Sequence, residues 1–397
     1  MEIILIASKY LSQQNNSQQF VDFNIQKLLP HKFSEYGPAL AVGDVNGDGL
    51  DDIITGESMI NSPAVLLQQV NNSFLQTYAL SDTTHSGKKA DDEGVLLFDA
   101  DGDKDLDIYV GSGGYENAPD SKLYQDKLYI NNGKGSFSVD STSIPKNLVN
   151  KSCVRATDYD NDGDLDLFIA GRVEPLHYPK PVSSFIYRND SKNGVIKFTD
   201  VTSTIANGLV NIGLVCDAVW TDFDSDGWQD LILAGEFMPI TFIKNDHGNF
   251  KNVTASSGVE NYKGWWTSIL PGDFDNDGDI DYIAGNLGLN SFFRGSEKYP
   301  VSIYAKDFDN NGSYDAIPTL YLPFSQEDTT RKEFPAHTRD DMVKQMIGFR
   351  SKFQNYKSYA VATLDQMFTP EELKDAIKVQ ANYFANSYIR NDGNGKF

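Results

Sequence analysis

The 397-residue sequence predicts an all-β fold: a β-propeller of four-stranded antiparallel blades with a small helical insertion in the sixth repeat. Three observations predict it. A short acidic loop, D-x-[DN]-x-[DN]-G-x-x-D, begins at Asp44, Asp99, Asp158, Asp222, Asp273 and Asp307. Each copy runs directly into an apolar, β-branched stretch: DDIITG, LDIYVG, LDLFIAG, QDLILAG, IDYIAG and YDAIPT. The copies recur at intervals of 55, 59, 64, 51 and 34 residues. At such periods strand-rich repeats point to propeller blades rather than a helical solenoid.

Within a repeat, a strand such as 39–43 leads into the acidic loop, and the apolar strand after it ends near a Gly. A second hairpin follows, seen in LYINNGKGSFSV (128–139), FIYRNDSKNGVIKF (185–198) and TFIKNDHGNF (241–250). Its Asn, Asp and Gly residues supply the positive-φ positions of tight turns. Four strands of this kind cannot bury both faces alone, so neighbours must stack around an axis.

After Pro318 the alternating pattern stops, and residues 336–382 read as helices. Thr338 caps DDMVKQM, and Thr369-Pro370-Glu371-Glu372 is a capping box with Pro at the first helical position. The following ELKDAIKVQ keeps apolar residues at helical spacing. Strand pattern resumes at SYIRNDGNGKF (387–397), the first half of another hairpin. The chain is thus expected to stop in mid-blade and to belong to a longer protein. Residues 1–30 are expected to be an upstream linker or a ring-closing strand, with the propeller over 31–397.

Alternating carboxylates place oxygens on one side of a tight turn, as a hard cation such as Ca²⁺ requires. About six Ca²⁺ sites are expected. Side-chain ligands fall at loop positions 1, 3, 5 and 9, with the backbone carbonyl of position 7. The first loop then offers Asp44, Asn46, Asp48 and Asp52 with the carbonyl of Leu50. The second offers Asp99, Asp101, Asp103 and Asp107 with Asp105, and the third Asp158, Asp160, Asp162 and Asp166 with Asp164. The fourth has Asp222, Asp224, Asp226 and Asp230 with Trp228, and the fifth Asp273, Asp275, Asp277 and Asp281 with Asp279. The sixth has Asp307, Asp309, Asn311 and Asp315 with Ser313. The first and sixth loops carry fewer carboxylates than the rest and are expected to empty first.

Position 6 is Gly in five loops but Lys104 in the second, where a left-handed backbone costs on the order of 1 kcal/mol. An EF-hand would need a bidentate acid at position 12. That position holds Thr55, Val110, Ile169, Leu233, Ala284 and Pro318, which excludes it. Metal-free acidic turns would leave close like charges to repel each other.

The formal net charge of −22 sits largely in these loops and argues against nucleic acid or anionic lipid as a partner. Two cysteines, Cys153 and Cys216, make neither a disulfide framework nor a zinc site and read as small core residues. The start, MEIILIASKY, lacks a basic n-region, and its apolar stretch is too short for a signal peptide. No run approaches membrane-spanning length, so any export signal is expected outside this chain.

The segments PHKFSEYGPALAVGDVNGDGLDD, CDAVWTDFDSDGWQDLILAGEFMP and GWWTSILPGDFDNDGDIDYIAGNLGLNS resemble FG-GAP (VCBS-type) repeats. Such repeats build integrin-α-like β-propellers and large secreted proteins of Bacteroidetes-type bacteria. The resemblance covers nearly the whole chain outside the helical insertion. It implies about seven blades, Ca²⁺ in the loop between the first two strands of a blade, and an extracellular or cell-surface setting. It implies no particular ligand. Lys104 and the 34-residue step depart from the pattern.

No catalytic constellation stands out. The histidines His31, His85, His177, His247 and His337 are scattered, and no nucleophile elbow, P-loop or C-x-x-C occurs. Aromatic segments at 111–124 and 171–181 and around Trp265 and Trp266 could stack on sugar rings, but aromatics wedged between blades are the more ordinary reading. The expected function is a binding or adhesion scaffold for a protein or glycan. The alternatives are a carbohydrate-active enzyme of polysaccharide-lyase type, or a spacer or assembly module with the helical insertion as its docking site.

Overall fold

A computed structural model describes residues 20–56, 63–79, 90–324, 330–393 and 395–397. His85 and residues 1–19 lie outside them. The first blade holds β1 (Leu40–Gly43), β2 (Asp52–Thr55), β3 (Ala64–Gln68) and β4 (Phe74–Tyr78), antiparallel and in sequence order. The second is β5 (Asp91–Phe98), β6 (Asp107–Gly113), β7 (Lys127–Ile130) and β8 (Ser138–Asp140). The third is β9 (Lys151–Thr157), β10 (Asp166–Gly171), β11 (Phe185–Asn189) and β12 (Phe198–Asp200). The fourth is β13 (Leu214–Thr221), β14 (Asp230–Met238), β15 (Thr241–Asp246) and β16 (Asn249–Asn252). The innermost strands of successive blades are neighbours: β1 beside β5, β5 beside β9, β9 beside β13, and β13 beside β17 (Gly264–Gly272) of the fifth blade.

The unbroken apolar runs after each acidic loop follow from this stacking. The second strands β2, β6, β10 and β14 are buried on both faces, so the alternating side chains of an inner blade serve two different cores. In β6, Ile108 and Val110 join the first blade's core while Tyr109 joins the third's. In β10, Leu167 and Ile169 face the second blade and Phe168 the fourth. In β14, Leu231 and Leu233 face the third and Ile232 the fifth.

The fifth blade is discontinuous in sequence. After β17 and β18 (Asp281–Asn286) the chain leaves, builds the whole sixth repeat, and returns as β23 (Ser387–Ile389), which pairs with β18 through Tyr282–Ile389 and Ala284–Ser387. The hairpin sequence 387–397 therefore supplies the third strand of the fifth blade, not of the sixth. This also explains the short 34-residue step: the second half of the fifth repeat is postponed. The sixth sheet is built differently, in the order β21 (Arg331–Pro335), β20 (Asp315–Pro323), β19 (Val301–Lys306), β22 (Ile377–Ala381). One four-stranded or partial blade thus follows each acidic loop, six among the described residues, where the resemblance implies about seven. The fourth and fifth are joined into one seven-stranded sheet by pairing of β14 with β17 at Glu236–Trp265 and Met238–Gly264.

β22 corrects the expectation of helix through 382. Thr338 does cap Arg339–Gln345, accepting the Asp341 amide, and Thr369 with Glu372 does form the capping box of Pro370–Leu373. Helix then ends, and Asp375 turns left-handed at φ 63°. From there Ile377–Ala381 pairs along β19 from Ala305–Ile377 to Val301–Ala381. The open edge of β19 offers a full backbone ladder, and that outweighs a short helical spacing. The helices bury Met342, Met346, Phe349, Phe353, Leu364, Met367 and Phe368 against Tyr304, Ile317 and Leu28. They are the core of this sheet. Deleting 336–382 would remove that core and a strand together, so it does not isolate a docking role.

The sixth sheet packs against the blade ends opposite the acidic loops. Val301, Ile303, Ala305, Ala316 and Ala381 share one core with Tyr115, Val173, Tyr178, Phe237 and Trp265. Residues 20–30, expected in a linker or closing strand, form no strand; they tie this junction together. The Gln26 amide donates to the Tyr314 carbonyl at 2.8 Å, and its carbonyl accepts the Tyr115 hydroxyl. Tyr115, Tyr178, Trp265 and Trp266 are all buried, in keeping with aromatics as wedges rather than as an open sugar platform.

Candidate metal centres

Each acidic loop is shaped by three recurring hydrogen bonds before any ion is considered. The position-1 carboxylate accepts the position-6 amide in all six loops, from 2.8 Å (Gly49 to Asp44) to 3.3 Å (Gly278 to Asp273). Position 5 accepts the position-7 amide, as from Leu50 to Asp48 (2.9 Å) and Trp228 to Asp226 (3.0 Å). The position-9 carboxylate is fully or almost fully buried and reaches back to the position-2 amide, as from Tyr159 to Asp166 at 3.1 Å.

The other oxygen of position 9 accepts an amide at the end of the third strand. The donors are Gln68, Asn131, Asn189, Asn245 and Asn391, at 2.7–2.8 Å. In the sixth repeat the Gln345 side chain takes this place, donating to Asp315 at 2.7 Å. The Asn side chains extend the tie between blades: Asn131 donates to the Val45 carbonyl, Asn245 to Tyr159 and Asn391 to Phe223. Position 9 therefore locks strands one, two and three of a blade together. The third-strand Asn, recurring in the N-[ND] turn of every quoted hairpin, is the signal that sequence reasoning passed over.

Three carboxylates converge in five loops: Asp99, Asp101 and Asp107; Asp158, Asp160 and Asp166; Asp222, Asp224 and Asp230; Asp273, Asp275 and Asp281; and Asp307, Asp309 and Asp315. In each group one oxygen per residue lies within 4.8 Å of the others. These are positions 1, 3 and 9. Position 5 (Asp48, Asp103, Asp162, Asp226, Asp277 and Asn311) is not part of any such group. The first loop forms no three-carboxylate group, because Asn46 stands at position 3 and turns its amide to Asp48 at 3.1 Å. The sixth loop does form one, its Asn311 being at position 5. The two loops paired by charge count thus differ in geometry.

The donor set fits a divalent cation. The Oδ1 atoms of Asp160 and Asp224 at position 3 are buried with no hydrogen-bond partner, as are those of Asp105 and Asp164 at position 7. Buried acceptors left this way are costly without a counter-charge. Burial pushes the carboxyl of Asp107 up to about 7, Asp166 to about 8, Asp230 to about 7 and Asp315 to about 6, despite backbone hydrogen bonds that pull the other way. The Asp105 and Asp164 side chains add candidates where the sequence reading used only backbone carbonyls. In the fourth loop Lys244 pairs with Asp224 and, at 2.7 Å, with Asp226, so an ammonium competes there for the same oxygens.

Lys104 holds φ 76°, the conformation that Gly49, Gly163, Gly227, Gly278 and Gly312 hold at 84–99°. A Cβ at those five glycines would meet no atom within 4 Å, so the cost of a side chain there is one of backbone strain alone. Lys104→Gly is expected to stabilise the chain by about 1 kcal/mol. An unchanged or lowered denaturant midpoint would contradict this.

The FG-GAP-like repeat family matches residues 44–110, 99–169 and 222–284. Each match runs from the start of one acidic loop to the twelfth position of the next. No curated protein sequence matches the chain. Among solved structures, an Agrocybe aegerita lectin, described as recognising non-reducing terminal N-acetylglucosamine, is 17% identical over 75% of this chain and 66% of its own, with a TM-score of 0.39. A Bacillus licheniformis rhamnogalacturonan lyase is 12% identical over 71% of this chain and 55% of its own (TM-score 0.38). A V. cholerae biofilm matrix protein is 11% identical over 92% of this chain and 62% of its own (TM-score 0.32). The chain thus spans less than two thirds of the length of these structures. The loops, the strands they feed and the family match agree: residues 44–169 and 222–284 carry FG-GAP-like repeats, within a β-propeller-like fold.

Proposed function

We propose that the chain is a calcium-stabilised β-propeller of an exported or cell-surface protein, serving as a rigid scaffold that binds a protein or glycan. The observation that carries this reading is the convergence of three carboxylates in five loops, with partnerless oxygens in several of them. A bound Ca²⁺ would neutralise these oxygens and hold the turn between the first two strands of each blade. Asp158, Asp160 and Asp166 would do this in the third repeat, with equivalent residues elsewhere. Extracellular calcium suits loops of modest affinity. Among the described residues no helix is long and apolar enough to cross a membrane.

The test is the number of ions bound. Equilibrium dialysis against Ca²⁺ is expected to show at least five ions per chain, with a further, weaker one at the first loop. Binding of one ion or none would overturn the reading.

A further inference from the structure

Four consecutive inner strands carry an irregularity at the same level. Pairing of β5 with β6 skips Glu93, that of β13 with β14 skips Cys216, and that of β17 with β18 skips Thr267. In β9 the register jumps between Val154 and Lys151, setting Ser152 and Cys153 against a single residue, Ala170. A bulge re-aims the side chain it displaces, and bulges are enriched beside functional sites. Here the displaced residues Glu93, Ser152, Cys216 and Thr267, with Ala39 beside β1, line one cavity of about 280 Å³. Four inner strands and the residue that precedes β1 therefore contribute to a single axial pocket.

The pocket is also lined by Arg172, Phe33 and Tyr36. Arg172 is 95% buried, with 5% of its surface exposed. Its Nη2 pairs with Glu236, which also receives the Tyr178 hydroxyl at 2.9 Å and lies 3.1 Å from His31 Nε2. Its guanidinium sits 5.1 Å from the Phe33 ring and 5.4 Å from that of Tyr36. Its Nη1 has no hydrogen-bond partner, and neither has Oε1 of Glu93. Two polar groups are thus left unsatisfied in one pocket, beneath a tyrosine that is 44% exposed.

We propose that this axial pocket binds one neutral, polyhydroxylated ring, such as a single sugar residue, through Arg172 Nη1 and Glu93 with Tyr36 at its rim. The proposal rests on the scaffold reading above and names its ligand class. A hydroxyl both donates and accepts, so adjacent hydroxyls can satisfy both groups at once. A ring's apolar face can lie against an aromatic side chain. The volume falls just below the ~300–1,000 Å³ typical of drug-sized ligands, which suits one ring rather than an oligomer. Charged ligands fit less well. Arg172 is already balanced by Glu236, and burial together with Asp91 and Glu116 pushes the Glu93 carboxyl well up, towards its neutral form.

The test uses the full chain in Ca²⁺ buffer, with the methyl glycosides of glucose, galactose, rhamnose and N-acetylglucosamine as probes in saturation-transfer NMR. At least one glycoside is expected to bind in the millimolar range or tighter. Glu93→Met is expected to weaken it at least tenfold, and Thr267→Trp, which fills the pocket, to abolish it. Acetate and glycine should not compete. Should Thr267→Trp fail to fold, Glu93→Met decides. Glycoside binding that Glu93→Met leaves unchanged would overturn this site while leaving the scaffold intact. So would the absence of all binding by a chain whose melting still responds to Ca²⁺, or displacement of the sugar by acetate or glycine.

Discussion

Removal of divalent cations with EDTA is expected to lower the melting temperature by ten degrees or more. An ion at a hundredfold excess over its dissociation constant adds about 2.7 kcal/mol to the stability of the state that binds it. Five converging carboxylate groups, each bridging the first two strands of a blade, would together add on the order of 10 kcal/mol. The metal-free state must hold partnerless buried oxygens at Asp160 and Asp224 close to other carboxylates, or protonate the cluster. Parallel calorimetric scans in EDTA and in millimolar CaCl₂ measure the difference. Superimposable scans would remove the metal from the account, and with it the proposed role of the loops.

The second large effect separates what holds the blade from what holds the ion. Asp166→Leu is expected to cost about 2–6 kcal/mol even in EDTA, because it strands the buried amides of Tyr159 and Asn189 without an acceptor. Asp160→Asn should cost little in EDTA, since no hydrogen bond to its orphaned oxygen is lost. It should instead shrink the stabilisation that calcium provides. Urea unfolding of both variants, with and without calcium, reads the two effects independently. An Asp166→Leu variant as stable as the parent in EDTA would refute the locking role of position 9. An Asp160→Asn variant with the parent's full calcium response would refute a ligand role for position 3.

Much of this was legible beforehand because it is local. The acidic loop is a turn whose hydrogen bonds join residues at most eight positions apart, so the spacing of Asp and Gly specifies it nearly alone. The second strands were legible for a related reason: burial on both faces requires an unbroken apolar run, which β6, β10 and β14 all show. The helix starts at Thr338 and Thr369 were legible because a cap also acts within one turn.

The candidate ligand set was only partly legible. Spacing predicts that alternate residues share one side of the turn, but not how far each side chain reaches. Positions 1, 3 and 9 converge, while position 5 is spent on a backbone amide. Lys244 lies on the other side of a strand connection from the loop it enters, and no motif points to it.

By itself, then, the sequence determined the repeated unit: an acidic turn, the strand it feeds, and a propeller-like stacking of the units. Only the tertiary structure decided that 387–389 completes the fifth blade, that 377–381 is a strand, and that four bulges aim their side chains at one axis. The reason is physical. A turn is chosen by its own few residues, whereas a strand pairs with whichever edge is open, and that edge can come from a segment a hundred residues away.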